Sequence, residues 1–447
     1  MFGLFETGFQ FFYWGNLLML LIGGILIYLG ISKKMEPLLL VPIGFGILLI
    51  NLPLGGLMDY ELKIANTGEV PGKVVSIEVD ESGRLGENDV ILMLDSGEVL
   101  SPVTGRVKEI LVSLGQEVEP GEAMVVMLTA IQTPLPTTPI GLLSRIFQYG
   151  IMWQIIPPLI FLCLGALTDF GPMIANPKTL LLGAAAQFGV YFAFFAALAT
   201  GFFSIAEAAS IGIIGGAEGP TTIFVTSVLA PHIIGATAVA CYSYMALVPI
   251  IQPPIIKLLT TKKERAIYMK PQLREVSNRE KILFPVIASV IVILFVPMSA
   301  PLIGMFMVGN LFAMSGVTER LSKTASSSFI DILTIFLTLA IGATMTAENF
   351  LDPKTLMVLV LGVVAFGTAT AAGVLMAKIM NLFSKEKINP MIGAAGVSAV
   401  PMAARVVQVM GQKENPRNFL LMHAMGPNVA GAIGAAIAGG VFLGMIG

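Results

Sequence analysis

The fold is decided by the stretch Gly215–Thr221, with the sequence GGAEGPT, which interrupts an otherwise apolar segment. Glycine frees the chain from helical geometry, and Pro220 removes a backbone donor, so a helix that enters this stretch has to break. Backbone carbonyls then become available beside the carboxylate of Glu218. An ionisable group at membrane depth is expensive and marks a functional site by default. The alternative is a glutamate that is merely solvated at the membrane interface.

The composition around this stretch is that of a membrane protein. Of 447 residues, 55% are hydrophobic and only 12% are charged, against roughly 25% charged in an ordinary globular protein. The 47 glycines and 25 methionines suit closely packed helices in lipid. These numbers exclude a secreted disulfide scaffold, a disordered hub and a nucleic-acid binder. Cys163 and Cys241 both lie in apolar runs, so neither a disulfide framework nor redox chemistry is expected.

Ten apolar runs approach the length of about 20 residues that a membrane-spanning helix needs. The first follows aromatics and Glu6 without a basic region or cleavage site, which predicts an anchored helix rather than a signal peptide. The runs are Asn16–Ile31, Pro37–Met58, Gly150–Leu167, Leu180–Thr200, His232–Ile251, Leu283–Pro297, Pro301–Met314, Ile330–Thr346, Lys354–Met376 and Phe419–Met445. Two further segments, Phe203–Ala230 and Asn389–Met410, are rich in Gly, Ala, Ser and Pro, and we predict broken or re-entrant helices there.

Between Glu61 and Leu128 the sequence changes to short β-branched runs separated by turn residues, which predicts a small all-β insert. Residues 61–122 hold 13 acidic and 5 basic side chains, a net charge of −8, so the remainder of the chain carries +6. The insert is therefore expected to be exposed to water. The predicted strands are Val74–Val79, Val90–Leu94, Arg106–Val112 and Ala123–Met127.

Basic loops predict the orientation in the membrane, because cytoplasmic loops carry an excess of Lys and Arg. If both Gly-rich segments enter and leave on one side, all five basic loops fall in the cytoplasm, and the N-terminus, the insert and the C-terminus lie outside. The basic loops are Lys33–Lys34, Lys257–Lys281, Arg320–Lys323, Lys378–Lys387 and Lys413–Arg417.

An internal repeat is visible along the chain. Asn176–Leu180, NPKTL, is echoed by Asp352–Leu356, DPKTL, and Ile211–Pro220 matches Ile392–Pro401 at its Ile, Gly, Gly and Pro positions. The predicted topology makes the two copies inverted, which is typical of alternating-access transporters with a site near the membrane midplane. A chance echo between Gly-rich helices is the alternative. The predicted divisions are 1–60 (hairpin), 61–130 (insert), 131–256 (first repeat), 257–329 (basic loop and linking helices) and 330–447 (second repeat).

Oxygen donors suited to a hard cation accompany the broken segments. Asn389 and Ser398 lie in the second segment, and Asn428 lies beside a Gly-Pro break in the last run. Arg405 closes the second segment with a guanidinium able to grip a carboxylate in two-pronged fashion, although it could instead be an interface anchor. Asp169 and Tyr244 are weaker candidates.

The longest motifs resemble those of a known family, the β subunits of the sodium-translocating biotin-dependent decarboxylases, which act on oxaloacetate, methylmalonyl-CoA or glutaconyl-CoA. The resemblance covers residues 1–58 and 148–447. The motifs that carry it are Thr168–Gly189, Gly215–Thr221, Tyr242–Pro249, Gln252–Pro254, Asn389–Arg405 and Asn418–Gly431.

This resemblance implies an elevator-like, polytopic all-α membrane fold and a pumping mechanism. A carboxyltransferase α subunit would load a biotin carrier protein, and the β subunit would decarboxylate the carboxybiotin, export Na⁺ and consume a proton. The resemblance also implies a small γ or δ membrane subunit as a partner and a homotrimeric β core. It implies a location in the bacterial cytoplasmic membrane. Carried over, the Na⁺ ligands fall on Glu218, Tyr244, Asn389, Ser398 and Asn428, and carboxybiotin falls on Arg405 and Asn389, with Arg405 and Glu218 as catalytic groups.

The sequence departs from the family pattern at Glu218, where the family usually has Asp. The longer carboxylate leaves Na⁺ or H⁺ specificity open, because a buried carboxyl without a balancing cation favours its proton.

The insert is the second departure. Val70–Ile77 and Ser101–Val118 are similar to the two halves of a biotinyl or lipoyl domain, but the tip that should carry the modified lysine is Leu94–Val99, LDSGEV, without a Lys. No covalent biotin is expected on this chain, and the insert is predicted to have a structural or assembly role. A cytoplasmic insert that mimics a docked carrier is the rival hypothesis.

Two other functions fit parts of the sequence. Inverted repeats with an Arg also suit a secondary transporter of carboxylates, and the Glu218 departure also suits an inactive assembly subunit. The choice of the acid or acyl-CoA that is decarboxylated belongs to another chain.

Overall fold

A computed structural model describes residues 12–53, 55–68, 70–80, 83–129, 137–270, 274–399 and 401–447. Glu6, the predicted boundary between residues 130 and 131, part of the basic loop at 271–273 and Val400 of the second broken segment lie outside the described residues.

The chain begins with a helical hairpin. Helix α1 covers Trp14–Ser32 and α2 covers Pro37–Ile50. The prediction of a run to Met58 was wrong for the second helix, which ends eight residues earlier. Asn51 ends it, because its side-chain amide donates to the carbonyls of Ile47 and Met345, and Pro53 follows without a backbone donor.

The predicted insert is a two-sheet β structure. The predicted strands are all present, and five short strands complete two antiparallel sheets with the orders β3-β6-β8-β1-β9 and β5-β4-β2-β7. The strands are β1 Tyr60–Ala65, β2 Gly72–Ile77, β3 Arg84–Leu85, β4 Val90–Leu94, β5 Gly97–Leu100, β6 Gly105–Ile110, β7 Glu117–Val118, β8 Ala123–Thr129 and β9 Thr137–Pro139. Strands β4 and β5 form a hairpin that pairs Leu94 with Gly97, so its tip is Asp95-Ser96, where no lysine is present.

The insert is tied to the end of the helical part by polar contacts. The carboxylate of Glu348, in the short helix Ala347–Leu351, accepts from the Tyr13 hydroxyl at 2.6 Å and lies 3.7 Å from Nη2 of Arg84 in β3. The backbone carbonyl of Asp59 accepts from the amides of Ile140 and Gly141 beyond the last strand. The structural role of the insert stays a prediction.

The remaining chain is helical. Seven helices of the described residues are long and apolar enough to cross a membrane, and an eighth if the pair Leu142–Met152 and Ile156–Leu167, bent by 69°, is one span. The chain is thus a multi-pass membrane protein. The helices are α3 Leu142–Arg145, α4 Ile156–Leu167, α5 Gly171–Ala175, α6 Thr179–Ala186, α7 Phe188–Ala199, α8 Ile205–Gly212, α9 Gly219–Leu229, α10 Ile234–Leu259, α11 Lys262–Arg265, α12 Asn278–Phe295, α13 Ala300–Met314, α14 Glu319–Thr324, α15 Ile330–Gly342, α16 Ala347–Leu351, α17 Pro353–Phe383, α18 Met391–Ala394, α19 Met402–Glu414 and α20 Leu421–Ile446.

Both Gly-rich segments are interrupted helices, as predicted. Helix α8 runs into a 3₁₀ turn at Ile213–Gly216, the chain breaks, and α9 follows. The second segment is divided between α18 and α19 in the same way. Helix α9 has 11 residues, so it rises about 16 Å, roughly half of a 30 Å hydrocarbon core. Helix α10 packs on α9 and α19, and α20 packs on the same two helices, so both broken segments lie between these long helices.

Ion pairs and hydrogen bonds connect the loops of the helical part in two groups. Lys281 lies 3.7 Å from Asp169, Arg274 donates to the carbonyl of Ile174, and Lys378 pairs with Glu264. These contacts join loops that the positive-inside pattern places on one side. Lys354 and Glu207 pair among the loops predicted on the other side. Which end faces the cytoplasm stays a prediction.

Helices α4 and α13 cross at two glycines. A Cβ added to Gly165 would lie 1.9 Å from the carbonyl oxygen of Phe306, and one added to Gly309 would lie 1.8 Å from that of Leu162. Only glycine permits this backbone contact. In α13, Gly304 faces open space instead.

We expect Gly309→Ala to destabilise the protein by about 1–3 kcal/mol, because the two backbones have to separate. Gly304→Ala, in the same helix, should be neutral or stabilising by up to about 1 kcal/mol, because alanine favours helix. Thermal unfolding of the detergent-solubilised variants measures both. Equal melting temperatures for the two variants would contradict this crossing.

Candidate functional site

Local backbone geometry puts Glu218 at the break of the first segment. Ala217 has a left-handed φ of 55° and Glu218 is extended, after which Gly219 and Pro220 start α9. The Thr222 hydroxyl donates to the Glu218 backbone carbonyl at 2.9 Å. The Glu218 side chain is only 3% exposed, so its carboxylate lies inside the protein and not at an open interface.

Ser398 joins the second broken segment to the first. Its hydroxyl donates to Oε2 of Glu218, and its backbone amide donates to the carbonyl of Gly216 at 3.3 Å. Ser398 is fully buried. One residue therefore links the two interruptions through both its side chain and its main chain, which brings together two of the predicted cation ligands.

Asn428 completes the contact from α20. Its side-chain amide donates to the carbonyls of Ala395, Val397 and Ser398 at 2.9, 3.0 and 3.2 Å. Its own carbonyl oxygen Oδ1 is buried without a hydrogen-bond partner. Because buried polar atoms are nearly always paired, such an oxygen points to a ligand or water.

Further buried oxygens lie on the broken segments or on residues that contact them. Gln187 donates to the Gly431 carbonyl and Gln252 donates to the Ala394 carbonyl, and each leaves its own Oε1 without a partner. The Thr221 hydroxyl, in the first turn of α9, also has no partner. Neutral amide and hydroxyl oxygens around one carboxylate are ligands for a hard cation.

The sequence analysis did not predict Gln187, Thr221 or Gln252 as site residues. All three lie in the motifs that resemble the family, and Thr221 also lies in the motif that breaks the first segment. Polar side chains inside apolar runs were the signal that could have identified them.

The polar groups of Tyr244 and Asp169 have partners outside this group. The Tyr244 hydroxyl donates to the Leu359 carbonyl, and its ring packs against Phe366 in α17. Tyr242 is the tyrosine beside the Glu218 turn, since a Cβ on Gly219 would lie 2.4 Å from its ring. The Asp169 side chain is 52% exposed and accepts from the amide of Gly171.

Asn389 lies at the far end of α18 from Ser398. Its side-chain amide donates to the carbonyls of Arg265 and Ile267 at 2.7 and 3.0 Å, and its Oδ1 accepts from the amide of Met391. The structure thus places it at the end of the segment and not among the oxygens around Glu218. Its role as a cation or carboxybiotin ligand stays a prediction.

Arg405 occupies the first turn of α19 and is exposed. Its positive charge acts on Glu36, in the loop between α1 and α2, where burial raises the pKa of the carboxyl above its usual range and Arg405 partly offsets the rise. The backbone of Glu36 is left-handed, with φ of 37°. The sequence analysis did not identify Glu36 as a carboxylate that feels the charge of Arg405.

A multi-pass helical fold with two broken helices that meet at one buried carboxylate is the architecture of a membrane ion-transport protein. The family described as "Na+-transporting oxaloacetate decarboxylase beta subunit" matches residues 15–446. The chain belongs to this family of β subunits of sodium-translocating biotin-dependent decarboxylases, and it is a membrane subunit.

Relatives from several bacteria match nearly the whole chain. "Methylmalonyl-CoA decarboxylase subunit beta" of Propionigenium modestum is 52% identical over 99% of this chain and 98% of its own length. "Oxaloacetate decarboxylase beta chain" of Klebsiella pneumoniae is 50% identical over 96% and 94%, and "Methylmalonyl-CoA decarboxylase subunit beta" of Veillonella parvula is 47% identical over 99% and 96%. Relatives named for two different substrates are thus about equally similar to this chain.

We expect Glu218→Gln to abolish stabilisation of the protein by Na⁺, because the amide keeps the size but removes the charge that balances the cation. Stabilisation by a bound ion reaches about 2.7 kcal/mol at 100 times its Kd. Melting temperatures measured in NaCl against choline chloride test this expectation.

Glu207→Gln is the matched control, since Glu207 is the other buried carboxylate of a broken segment and is only 6% exposed. It pairs with His232 and Lys354, so its variant should melt lower and still respond to Na⁺. An unchanged Na⁺ response in Glu218→Gln would remove Glu218 from the ion site.

Proposed function

We propose that this chain decarboxylates carboxybiotin on a partner carrier and couples the reaction to Na⁺ export, with consumption of a proton. The observation that carries the proposal is the hydrogen bond from Ser398 to Glu218, because it joins the two broken helices at a buried carboxylate. Family membership supplies the reaction class.

In this proposal Na⁺ is bound by Glu218, Ser398 and the unpaired Oδ1 of Asn428, with Asn389 and Tyr244 as additional ligands. One carboxylate balances one monovalent cation, and the remaining ligands are neutral oxygens. Tyr244 would have to release Leu359, and Asn389 would have to release Met391, so both would join only after a rearrangement. Asp169 remains a weaker candidate.

Arg405 would hold the carboxylate of carboxybiotin, together with Asn389. It lies seven residues after Ser398 in the same broken segment, so the cation and the carboxylate would act on one element. Moving one charge against 100 mV requires about 2.3 kcal/mol. Release of CO₂ therefore has to depend on occupancy of the ion site.

The assembly that this function requires contains a carboxyltransferase α subunit, a biotin carrier protein and a small γ or δ membrane subunit around a β trimer. It would lie in the bacterial cytoplasmic membrane with the N-terminus, the β insert and the C-terminus outside. The five basic loops support this orientation.

A secondary carboxylate transporter is the second candidate, supported by the repeats and Arg405. The two functions differ in their energy source. A pump needs carboxybiotin, and a secondary transporter needs only a gradient.

We expect inverted vesicles that contain the whole complex to take up Na⁺ when substrate is decarboxylated, and avidin to abolish the uptake, because it sequesters biotin. Radioactive ²²Na⁺ and released CO₂ would be measured together, with oxaloacetate and methylmalonyl-CoA as the two substrates. Uptake that ignores avidin would favour the secondary transporter.

In the same vesicles Arg405→Lys should lower CO₂ release at least about tenfold, because a lysine cannot replace a two-pronged guanidinium grip. It should leave stabilisation by Na⁺ intact. Lys413→Ala changes an exposed basic residue of the same helix. It is the control and should keep both CO₂ release and stabilisation by Na⁺.

Glu218→Asp introduces the residue that the family usually has at this position. Pumping that appears only in Glu218→Asp would show that the native chain is an inactive assembly subunit.

A further inference from the structure

Lys178 and Lys354 occupy the same position of the two repeats, in Asn176–Leu180 and Asp352–Leu356. Lys178 directly precedes helix α6, and Lys354 lies in the first turn of helix α17. The structure gives these two equivalent lysines different surroundings.

Lys354 is neutralised within the protein. Its Nζ lies 3.2 Å from Oε1 of Glu207, a carboxylate that is 6% exposed. His232 lies 3.0 Å from the same oxygen, and the backbone amide of Ser204 donates to the other oxygen. The first broken segment thus provides the counter-charge for the lysine of the second repeat.

The second broken segment provides no such charge for Lys178. Ile211 of the first segment matches Ile392 of the second, so Glu207, four residues earlier, matches Ile388. Ile388 and Lys178 line one cavity, as the repeat requires. Among the described residues, none forms a hydrogen bond or an ion pair with the Lys178 side chain.

The cavity has a volume of about 310 Å³ and lies between the start of α6, the end of α17 and α18. Asn176, Lys178, Thr179 and Ser384 contribute its polar groups, the other lining residues are apolar, and none is acidic. Its outer wall includes exposed apolar side chains, with Leu181 54%, Ile379 49% and Phe383 86% exposed. The cavity therefore opens at an exposed apolar surface, next to a lysine that has no hydrogen-bond or ion-pair partner among the described residues.

We propose that this cavity binds an anionic phospholipid of the leaflet at the Lys178 end, with the phosphate on Lys178 and an acyl chain along the Leu181, Ile379 and Phe383 wall. Charge complementarity and the apolar lateral opening both fit this ligand, because basic pockets between membrane helices hold anionic headgroups. Carboxybiotin fits less well, since Arg405 does not line the cavity.

Native mass spectrometry of the delipidated, detergent-solubilised protein tests the proposal with added phosphatidylglycerol or phosphatidylcholine. The wild-type chain should bind phosphatidylglycerol at least about fivefold more tightly, which is the effect of about one lysine near a headgroup. Lys178→Met should remove the preference. Ile388→Glu should also remove it, because it restores the internal counter-charge that Glu207 provides in the other repeat. Lys413→Met, a lysine outside the cavity, should retain it.

A preference for phosphatidylglycerol that survives both Lys178→Met and Ile388→Glu would overturn the proposal. So would loss of the preference in Lys413→Met to the same degree, because it would show that net charge alone attracts the lipid. A third contrary result is a raised KM for the biotin carrier in Lys178→Met with unchanged lipid binding, which would assign the cavity to carboxybiotin. Because Ile388→Glu keeps Lys178, it still tests the proposal if Lys178→Met does not fold.

Discussion

The structure depends on one constraint of the bilayer, which is that each backbone polar group at membrane depth must be paired inside the protein. Two interrupted helices lack part of the usual helical hydrogen bonding. Other amides of the protein replace the missing bonds. The Ser398 amide reaches the Gly216 carbonyl, and Asn428 spans three carbonyls of the second break. The side-chain amides of Asn428, Gln187 and Gln252 spend their N–H groups on backbone carbonyls, and their own oxygens are left without a partner. The repair of the backbone thereby creates a cluster of oxygens without donors, which is the requirement for a cation site.

The repeats are similar in backbone but different in charge. The match of Ile211 with Ile392 aligns Ala217 with Ser398 and Glu218 with Ala399, so one break supplies the carboxylate and the other supplies the hydroxyl. Two carboxylates at this position would repel each other and favour a shared proton. A single carboxylate among neutral oxygens is balanced by one monovalent cation. For the proposed ion site, the divergence of the two segments would therefore matter as much as their similarity, and the cavity at Lys178 lies at a second position where they diverge.

The local sequence was sufficient to predict the broken helices and the strands. It was not sufficient to predict the contacts between residues that are distant in sequence. Gly and Pro marked the two broken segments, and β-branched runs marked the insert, because these are properties of the backbone at each position. The end of α2 at Ile50 was missed because it depends on a hydrogen bond from Asn51 to Met345, which is remote in sequence. The juxtaposition of Glu218 and Ser398 could be inferred from the repeat and the resemblance. Gln187 and Gln252 could not be ranked from sequence, because only their partners reveal that one amide oxygen of each is unpaired.

The second broken segment is anchored at both of its ends by neighbouring residues. Asn389, at its start, donates to the carbonyls of Arg265 and Ile267, and Glu414, at the end of α19, lies 2.7 Å from the Arg265 guanidinium. Asn418 donates to the same Ile267 carbonyl. One loop thus anchors both ends of residues 389–414, with Ser398 and Arg405 between the anchors. A shift of Arg405 that left Ser398 in place would have to break the pair between Arg265 and Glu414, in which Arg265 is buried, and breaking a buried pair is strongly unfavourable. In the proposed mechanism, carboxylate binding at Arg405 and cation binding at Ser398 would for this reason be mechanically linked through the shared anchors of one segment.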